Sequence, residues 1–163
     1  ARTRVTMIDP NIRPGFIADT AAYRARIGRM LGAADIVKVS DEDLRWLAGD
    51  GDLVSLARDL LGQTQVVFVT EGAKGAHAIT ETHAVFVPAR KVDVADTVGA
   101  GDTFNAGVLA ALHTAGALNT DKLADLDQDT LRAALSLGIR AAAVTVSRPG
   151  ANPPWAHELP GDD

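Results

Sequence analysis

Blocks of apolar residues separated by polar segments predict alternating strands and helices in the first third of the chain. The first apolar run, at 5–8, ends at a Pro-Asn turn signal and predicts a short strand. Apolar residues at helical spacing then begin after Thr20 and end near Gly32, which predicts an amphipathic helix. The residues expected to face the core from this helix are Tyr23, Ile27, Met30 and Leu31.

The next two runs, at 36–39 and 66–70, predict strands joined by helical segments. A short helix follows the first of them, with Ser40 or Asp41 as its cap. A second helix is predicted from the spacing of Leu53, Leu56, Ala57 and Leu60. The run at 66–70 has no polar alternation, as in strands covered on both faces. The pattern therefore predicts a parallel βαβαβ arrangement.

The second half of the chain predicts a hairpin and two long helices. Two short alternating stretches, at 76–79 and 84–87, flank polar residues that can form a turn, and predict an antiparallel pair. Helices are expected from about Asp102 and from Asp129, and the polar stretch 118–129 predicts a loop or a short helix. The whole pattern indicates an α/β fold with a mainly parallel sheet.

Composition narrows the class of protein. The chain has 163 residues, of which 47% are apolar, enough for the core of one domain. The net charge of −5 and the scattered lysines and arginines argue against nucleic acid or a membrane surface as partners. There is no cysteine, which excludes disulfides and thiolate metal sites and fits a cytoplasmic location. No apolar stretch approaches the length of a membrane span, so we expect a soluble protein.

The most informative stretch is Asp96-Thr97-Val98-Gly99-Ala100-Gly101-Asp102-Thr103-Phe104, where small residues lead into a predicted helix. Backbone N–H groups at a helix start lack internal partners and lie at the positive end of the helix dipole, so they can bind an anion. An acidic residue there would repel phosphate, but it can accept a proton from an attacking hydroxyl. The alternative interpretation is structural, with Gly101 in a turn and Asp102 as the helix N-cap.

This stretch resembles the second signature of the carbohydrate-kinase family that includes ribokinase and fructokinase, Asp-Thr-x-Gly-Ala-Gly-Asp-Thr-Phe. The resemblance implies a ribokinase-like three-layer α/β/α fold and transfer of the γ-phosphate of ATP to a sugar hydroxyl. It implies that Asp102 is the catalytic base and that the backbone N–H groups of Gly99, Ala100 and Gly101 form an anion hole. It also places Asp96 and Val98 at a monovalent-cation site, with K⁺ as the expected ion.

Two further segments resemble the nucleotide side of that family. Thr70, Gly72 and Gly75 lie in a strand-to-loop segment that implies contacts with the phosphates and adenosine of ATP. Near the end of the chain, 147–152 resembles a closing loop that borders adenine, where Asn152 is a nucleotide candidate and Gly150 a further cation ligand. A plain hairpin turn is the competing interpretation of the first segment.

The resemblance also implies a magnesium side and a substrate side. Ser40 and Asp43 lie where many members have Asn-x-x-Glu, which makes Asp43, or Glu42 in its place, the expected Mg²⁺-side carboxylate; helix capping is the alternative. Asn11 and Arg13 resemble an Asp-x-Asn-x-Arg stretch near the sugar and phosphate. A turn in which Asp and Arg side chains bind neighbouring backbone is the alternative there.

Typical members are close to twice this length, so the resemblance implies that 1–163 is the C-terminal part of a single kinase domain whose sugar-binding half is missing. We expect this chain alone to be inactive and to form a homo-oligomer. For the complete protein, a fructokinase is the preferred member, with ribose, 2-keto-3-deoxygluconate and nucleosides as other substrates. The rival from another class is a non-catalytic nucleotide-binding or assembly module. A dinucleotide-binding oxidoreductase is disfavoured because no Gly-x-Gly-x-x-Gly follows the first strand.

Overall fold

A computed structural model describes residues 4–62, 64–159 and 161 of the chain. The strands are Met7–Ile8 (β1), Ile36–Ser40 (β2), Val66–Thr70 (β3), Gly75–Ile79 (β4) and Ala84–Pro88 (β5). The α-helices are Thr20–Leu31 (α1), Asp41–Ala48 (α2), Leu53–Arg58 (α3), Ala100–Thr114 (α4), Thr120–Leu123 (α5) and Gln128–Val146 (α6). Two short 3₁₀ helices span Pro14–Phe16 and Ala156–Glu158.

The five strands form one mixed sheet in the order β1-β2-β3-β4-β5. β1, β2 and β3 are parallel, and β4 and β5 add to them as an antiparallel hairpin. In the β2–β3 pair Ile36 lies opposite Val66 and Ser40 opposite Thr70, so both strands end at the same edge of the sheet. Loops after parallel strands meet at that edge, which is where ligands usually bind in such sheets.

Helices cover both faces of the sheet. One core cluster joins Ile36 and Phe68 to α4 and α6, and the other joins Val37 and Val67 to α1, α2 and α3. Successive residues of a strand point to opposite faces, so the apolar residues of β2 and β3 supply both clusters. The result is the expected three-layer α/β/α arrangement.

Most of the predicted elements are confirmed. α1 begins at Thr20, Ser40 is the residue that caps α2, and α5 is the short helix within the polar stretch 118–129. One expected core residue is wrong, because Met30 is 48% exposed while Ile27 and Leu31 are buried. Met30 lies one position outside the stripe that packs on the sheet, and no described element covers it.

The helix after the small-residue loop crosses α6 at a pair of glycines. A Cβ atom placed on Gly107 of α4 would lie 2.7 Å from the Cα atom of Gly138 of α6. A Cβ atom on Gly138 would lie 2.9 Å from the ring of Phe104. The two backbones therefore pack in direct contact, which sets the position of α4 over the sheet.

Replacement Gly107→Ala is expected to lower the free energy of unfolding by about 1–3 kcal/mol, the usual cost of overpacking a core. The measurement is urea unfolding followed by far-UV circular dichroism. Gly28→Ala is the matched control, because Gly28 is also helical but has no heavy atom within 4 Å of its Cβ position. The control should keep or gain stability, by up to about 1 kcal/mol. Equal stabilities of the two variants would contradict the close crossing.

Candidate active site

Asp96 joins the loop before α4 to the segment after α6. Its Oδ1 atom accepts a hydrogen bond from the Val98 N–H at 3.0 Å, and its Oδ2 atom accepts one from the Gly150 N–H at 3.0 Å. These backbone donors favour the charged carboxylate and hold the pKa of Asp96 below its ordinary value of 3.8. Three of the residues expected at a cation site, Asp96, Val98 and Gly150, are therefore in contact.

Gly99 turns the chain into α4. Its φ of +79° lies in the left-handed region, and a Cβ atom there would lie 3.1 Å from that of Ala151. The Gly99 carbonyl accepts a hydrogen bond from the Thr103 hydroxyl at 2.8 Å. Thr103 in turn accepts one at 3.1 Å from the buried Thr145 hydroxyl on α6. The start of α4 is thus fixed by α6.

The first backbone amides of α4 carry no side-chain cap. The side-chain caps of the other α-helices are Asp19, Ser40, Asp52, Asn119 and Asp127. The Ala100 N–H makes a long, 3.3 Å hydrogen bond to the Thr97 carbonyl. The N–H groups of Gly101 and Asp102 have no acceptor among the described residues. Free amides at the positive end of a 15-residue helix can bind an anion.

Asp102 lies in the first turn of α4, three residues after the N-cap Gly99. The alternative interpretation of Asp102 as the cap itself is therefore wrong. Its side chain is exposed, and it makes no hydrogen bond or ion pair with another residue in the described part of the chain. The carboxylate is free to accept a proton from a bound ligand, while as an acidic group it also stabilises the helix dipole.

A partly buried polar cluster lies directly behind this helix start, and the sequence interpretation did not include it. The Asp9 Oδ2 atom, just after β1, accepts hydrogen bonds at 3.0 Å from both Lys38 Nζ and Asn105 Nδ2. Lys38 is 6% exposed. A Cβ atom placed on Gly101 would lie 3.0 Å from the Lys38 Nζ atom. The signal available in the sequence was a lysine in a strand otherwise made of core residues.

Asp43 binds backbone rather than standing free. This buried carboxylate accepts a hydrogen bond from the Ile12 N–H at 3.1 Å, and the Asp43 N–H donates to the Ser40 hydroxyl at 3.0 Å. The capping alternative for Ser40 is therefore confirmed. Glu42, the other candidate for the magnesium side, is exposed. The two candidates for the magnesium side thus both follow β2 at the edge where the parallel strands end, Asp43 buried and Glu42 accessible.

Asn11 and Arg13 lie in the turn after β1 that Asp43 anchors. Asn11 has a left-handed φ of +45°, a conformation that Asn adopts more readily than most residues. The Arg13 guanidinium donates to the neighbouring Ile12 carbonyl at 3.0 Å, as the turn alternative expects. Both residues are exposed and line an open cavity of about 400 Å³ beside α1, which Tyr23 and Arg26 also line. No residue of 96–102 lines that cavity.

Thr70, Gly72 and Gly75 form the turn between β3 and β4. The Glu71 N–H donates to the Gly75 carbonyl at 2.8 Å, so this segment is a hairpin connection as the structural alternative expects. Gly75 is required by packing, because a Cβ atom there would lie 2.3 Å from the carbonyl oxygen of Val87. Gly72 has a φ of +53° and open space at its Cβ position. Its backbone is therefore accessible to a ligand.

Contacts of the Glu71 carboxylate with His77 and Lys74 stabilise this turn. Burial raises the pKa of Glu71, but hydrogen bonds from His77 and Lys74 outweigh it and hold that pKa below 4.5. The Glu71 carboxylate lies 2.8 Å from the His77 ring and 3.2 Å from the Lys74 ammonium. No hydrogen bond in the described ranges joins this turn to the start of α4.

The closing loop reaches the site through Gly150. Gly150 has a φ of +68°, and its carbonyl accepts a hydrogen bond from the Asn152 N–H at 2.9 Å. Asn152 itself is exposed. The structure therefore brings Asp96, Val98, Gly99 and Gly150 together, whereas no hydrogen bond in the described ranges joins the Asn152 side chain or the Thr70 to Gly75 turn to them.

The chain belongs to the pfkB family of carbohydrate kinases, whose family model matches residues 1–158. Within that class it is similar to the fructokinase of Rhizobium leguminosarum bv. trifolii, with 49% identity over 133 residues, 81% of this chain and 41% of that protein. It is also similar in structure to the Xylella fastidiosa fructokinase with bound ATP, with a TM-score of 0.81 and 29% identity over 91% of this chain and 48% of that one.

A Vibrio cholerae O395 fructokinase variant, solved with fructose, ADP and a potassium ion, is a second similar structure. It has a TM-score of 0.73 and 30% identity over 89% of this chain and 45% of that one. The chain therefore spans less than half the length of these relatives. Within the described residues, no helix is long and apolar enough to cross a membrane.

Replacement Asp96→Asn is expected to make the free energy of unfolding less dependent on pH in the acidic range. The folded state holds the pKa of Asp96 below its unfolded value of 3.8, so its contribution is complete above that value and is lost as the pH falls through the lower, folded pKa. The urea midpoints of the unaltered protein and the variant should therefore differ at pH 6 and converge towards about pH 2. A difference that stays constant over this range would contradict the assignment.

Proposed function

We propose that the complete protein is an ATP-dependent sugar kinase in which Asp102 is the catalytic base. The observation that carries this proposal is the exposed, unpaired carboxylate of Asp102 in the same helical turn as the free amide of Gly101. A base beside an anion hole suits phosphoryl transfer, which depends on positioning and on stabilising charge rather than on covalent chemistry by the protein. Membership in the pfkB family supports the same assignment.

In the proposed step, a sugar hydroxyl attacks the γ-phosphorus of ATP. A new bond forms between the sugar oxygen and phosphorus, the bond from phosphorus to the β–γ bridging oxygen breaks, and ADP leaves with that electron pair. Asp102 takes the proton of the hydroxyl, and the Gly99 to Gly101 backbone stabilises the charge on the transferred group. The products are ADP and a sugar phosphate.

The remaining candidates are assigned to the substrates. Thr70, Gly72, Gly75 and Asn152 are proposed to border the nucleotide, and the open backbone at Gly72 supports a close approach. Asn11 and Arg13 are proposed to face the sugar or its phosphate, since both are exposed in the turn after β1. Residues 1–163 then correspond to the C-terminal part of one kinase domain, and the chain alone is proposed to be inactive.

The oxygen donors near the site suit hard cations. Asp96, with the backbone carbonyls of Val98 and Gly150, would hold K⁺ next to the loop before α4, although the Gly150 carbonyl already accepts a hydrogen bond from Asn152. Among the described residues no three His, Asp or Glu side chains converge on one point. Mg²⁺ commonly binds through one or two carboxylates and the phosphates, so Asp43 or Glu42 fits that role. Bound Mg²⁺ would neutralise charge on the phosphates.

Fructose is the proposed sugar. The 49% identity to the Rhizobium fructokinase, and the fructose named for the Vibrio structure, support it. The second candidate function is a nucleotide-binding module without transferase activity. The kinase and the non-catalytic module differ in whether any sugar stimulates ADP release.

A sugar panel separates these functions. Fructose should stimulate ADP release by the product of the complete reading frame more than ribose, 2-keto-3-deoxygluconate or a nucleoside does. The measurement is a coupled assay of ADP formation at fixed Mg²⁺ and K⁺. Nucleotide binding without release on any acceptor would favour the non-catalytic module, and a preference for another acceptor would replace fructose as the substrate.

Replacement Asp102→Asn in the same protein should lower kcat by about 10²- to 10⁴-fold, the usual contribution of a general base. ATP binding, measured by titration calorimetry, should survive because the variant keeps the fold and the amides. Asp125→Asn is the matched control, since it removes the same charge from an exposed position near α5 and should keep full activity. Comparable turnover by Asp102→Asn would exclude Asp102 as the base.

A further inference from the structure

Lys38 occupies a core position of the sheet, where the neighbouring residues are buried and apolar. It lies on β2 opposite Phe68 of β3, and it alternates with Val37 and Val39 so that it shares the face of Ile36 towards α4 and α6. Its side chain is 7% exposed. A buried charge is costly unless it is paired, and apolar replacements of buried ion pairs are often neutral or stabilising. Stability alone therefore does not explain this lysine.

The ammonium group of Lys38 lies at the N-terminal end of α4, where a positive charge is unfavourable for stability. Its Nζ atom lies 3.0 Å from the Cβ position of Gly101, in the first turn of α4. Helix starts carry partial positive charge, so a cation there is repelled, whereas an anion is attracted. The absent side chain of Gly101 is what leaves room for the ammonium. Two positive features, the free amides and Lys38, thus converge at one place.

We infer that Lys38 is a further catalytic residue of this site, whose ammonium binds the transferred phosphoryl group together with the first amides of α4. This inference rests on the proposed kinase function. The ammonium has three N–H donors, and one of them is used by Asp9. The other donors have no acceptor among the described residues, so they are available to phosphate oxygens.

Asp9 and Asn105 act as positioning residues for Lys38. Asp9 Oδ2 accepts from both side chains at 3.0 Å, so it neutralises the ammonium and holds it against α4 when no phosphate is bound. The Asp9 Oδ1 and Asn105 Oδ1 atoms are buried and accept no hydrogen bond. Buried acceptors are normally paired, so this cluster is not optimised for the fold alone.

The competing explanation is that Lys38 is only the structural partner of Asp9. The two explanations differ in what happens when both charges are removed together. If Lys38 only neutralises Asp9, the double variant Lys38→Met/Asp9→Asn leaves no uncompensated buried charge and should be as active as the unaltered protein. If Lys38 binds phosphate, the double variant stays impaired.

The first test measures kcat of the complete protein with its preferred sugar. Lys38→Met and Lys38→Met/Asp9→Asn should both lower kcat by about 10²-fold or more, the usual effect of removing one charge-stabilising donor. Lys122→Met is the matched control, because it removes an exposed lysine on α5 and should retain kcat. Thermal unfolding of each variant verifies that it is folded under the assay conditions.

The second test measures binding, so it does not depend on turnover. Lys38→Met should weaken ATP binding by roughly 10- to 100-fold, the range for losing a hydrogen bond to a charged group, and leave ADP binding within about twofold. This difference is specific because only ATP carries the terminal phosphoryl group. Should the unaltered protein release no ADP on any sugar, the proposed function fails, and the ATP and ADP affinities still decide the role of Lys38.

Either of two results would overturn the inference. The first is recovery of kcat by Lys38→Met/Asp9→Asn to within about threefold of the unaltered protein, which would reduce Lys38 to a structural partner. The second is an equal loss of ATP and ADP affinity in Lys38→Met, or no loss of either, because no contact with the terminal phosphoryl group would then exist.

Discussion

The backbone contact between α4 and α6 is the constraint on which the candidate site depends. Gly107 and Gly138 let the two helices pack without intervening side chains, and the hydroxyls of Thr103 and Thr145 join them again near the start of α4. Because the first turn of a helix moves with its axis, this packing determines where the free amides point. A rigid helix axis held by close packing is the usual way to keep such groups oriented without a ligand.

The parts of the site that lie close together in the sequence were predictable from it. The small-residue loop at 96–101 and its continuation into α4 follow from local chemistry, because small residues lead directly into positions with helical spacing, whereas the left-handed turn at Gly99 became visible only in the structure. The layered α/β fold followed from the alternation of predicted strands and helices and from the continuous apolar run of β3, which is typical of a strand covered on both faces. The predicted fold and family are confirmed, whereas the roles of the individual site residues stay predictions.

Features that depend on distant residues were not predictable. Nothing near Asp43 in the sequence indicates that its carboxylate binds the Ile12 amide, and nothing near Gly107 indicates that its helix packs against Gly138. Lys38 could be recognised only as an exception in an apolar run, since its partner Asp9 lies 29 residues away. Local patterns identify elements, but polar pairing between elements becomes visible only when the sheet order and the helix positions are known.

The Asp9–Asn105 hydrogen bond joins residues 96 positions apart, and β1, which precedes Asp9, has only two residues. Contacts between distant positions form late in folding, because the loop between them must close first. A strand of two residues offers few backbone hydrogen bonds, and such elements are also among the first to open in the native state. The polar cluster behind α4 is therefore expected to assemble last and to open first, so amide hydrogen exchange around Asp9 should be faster than in β2 and β3 while the rest of the sheet remains protected.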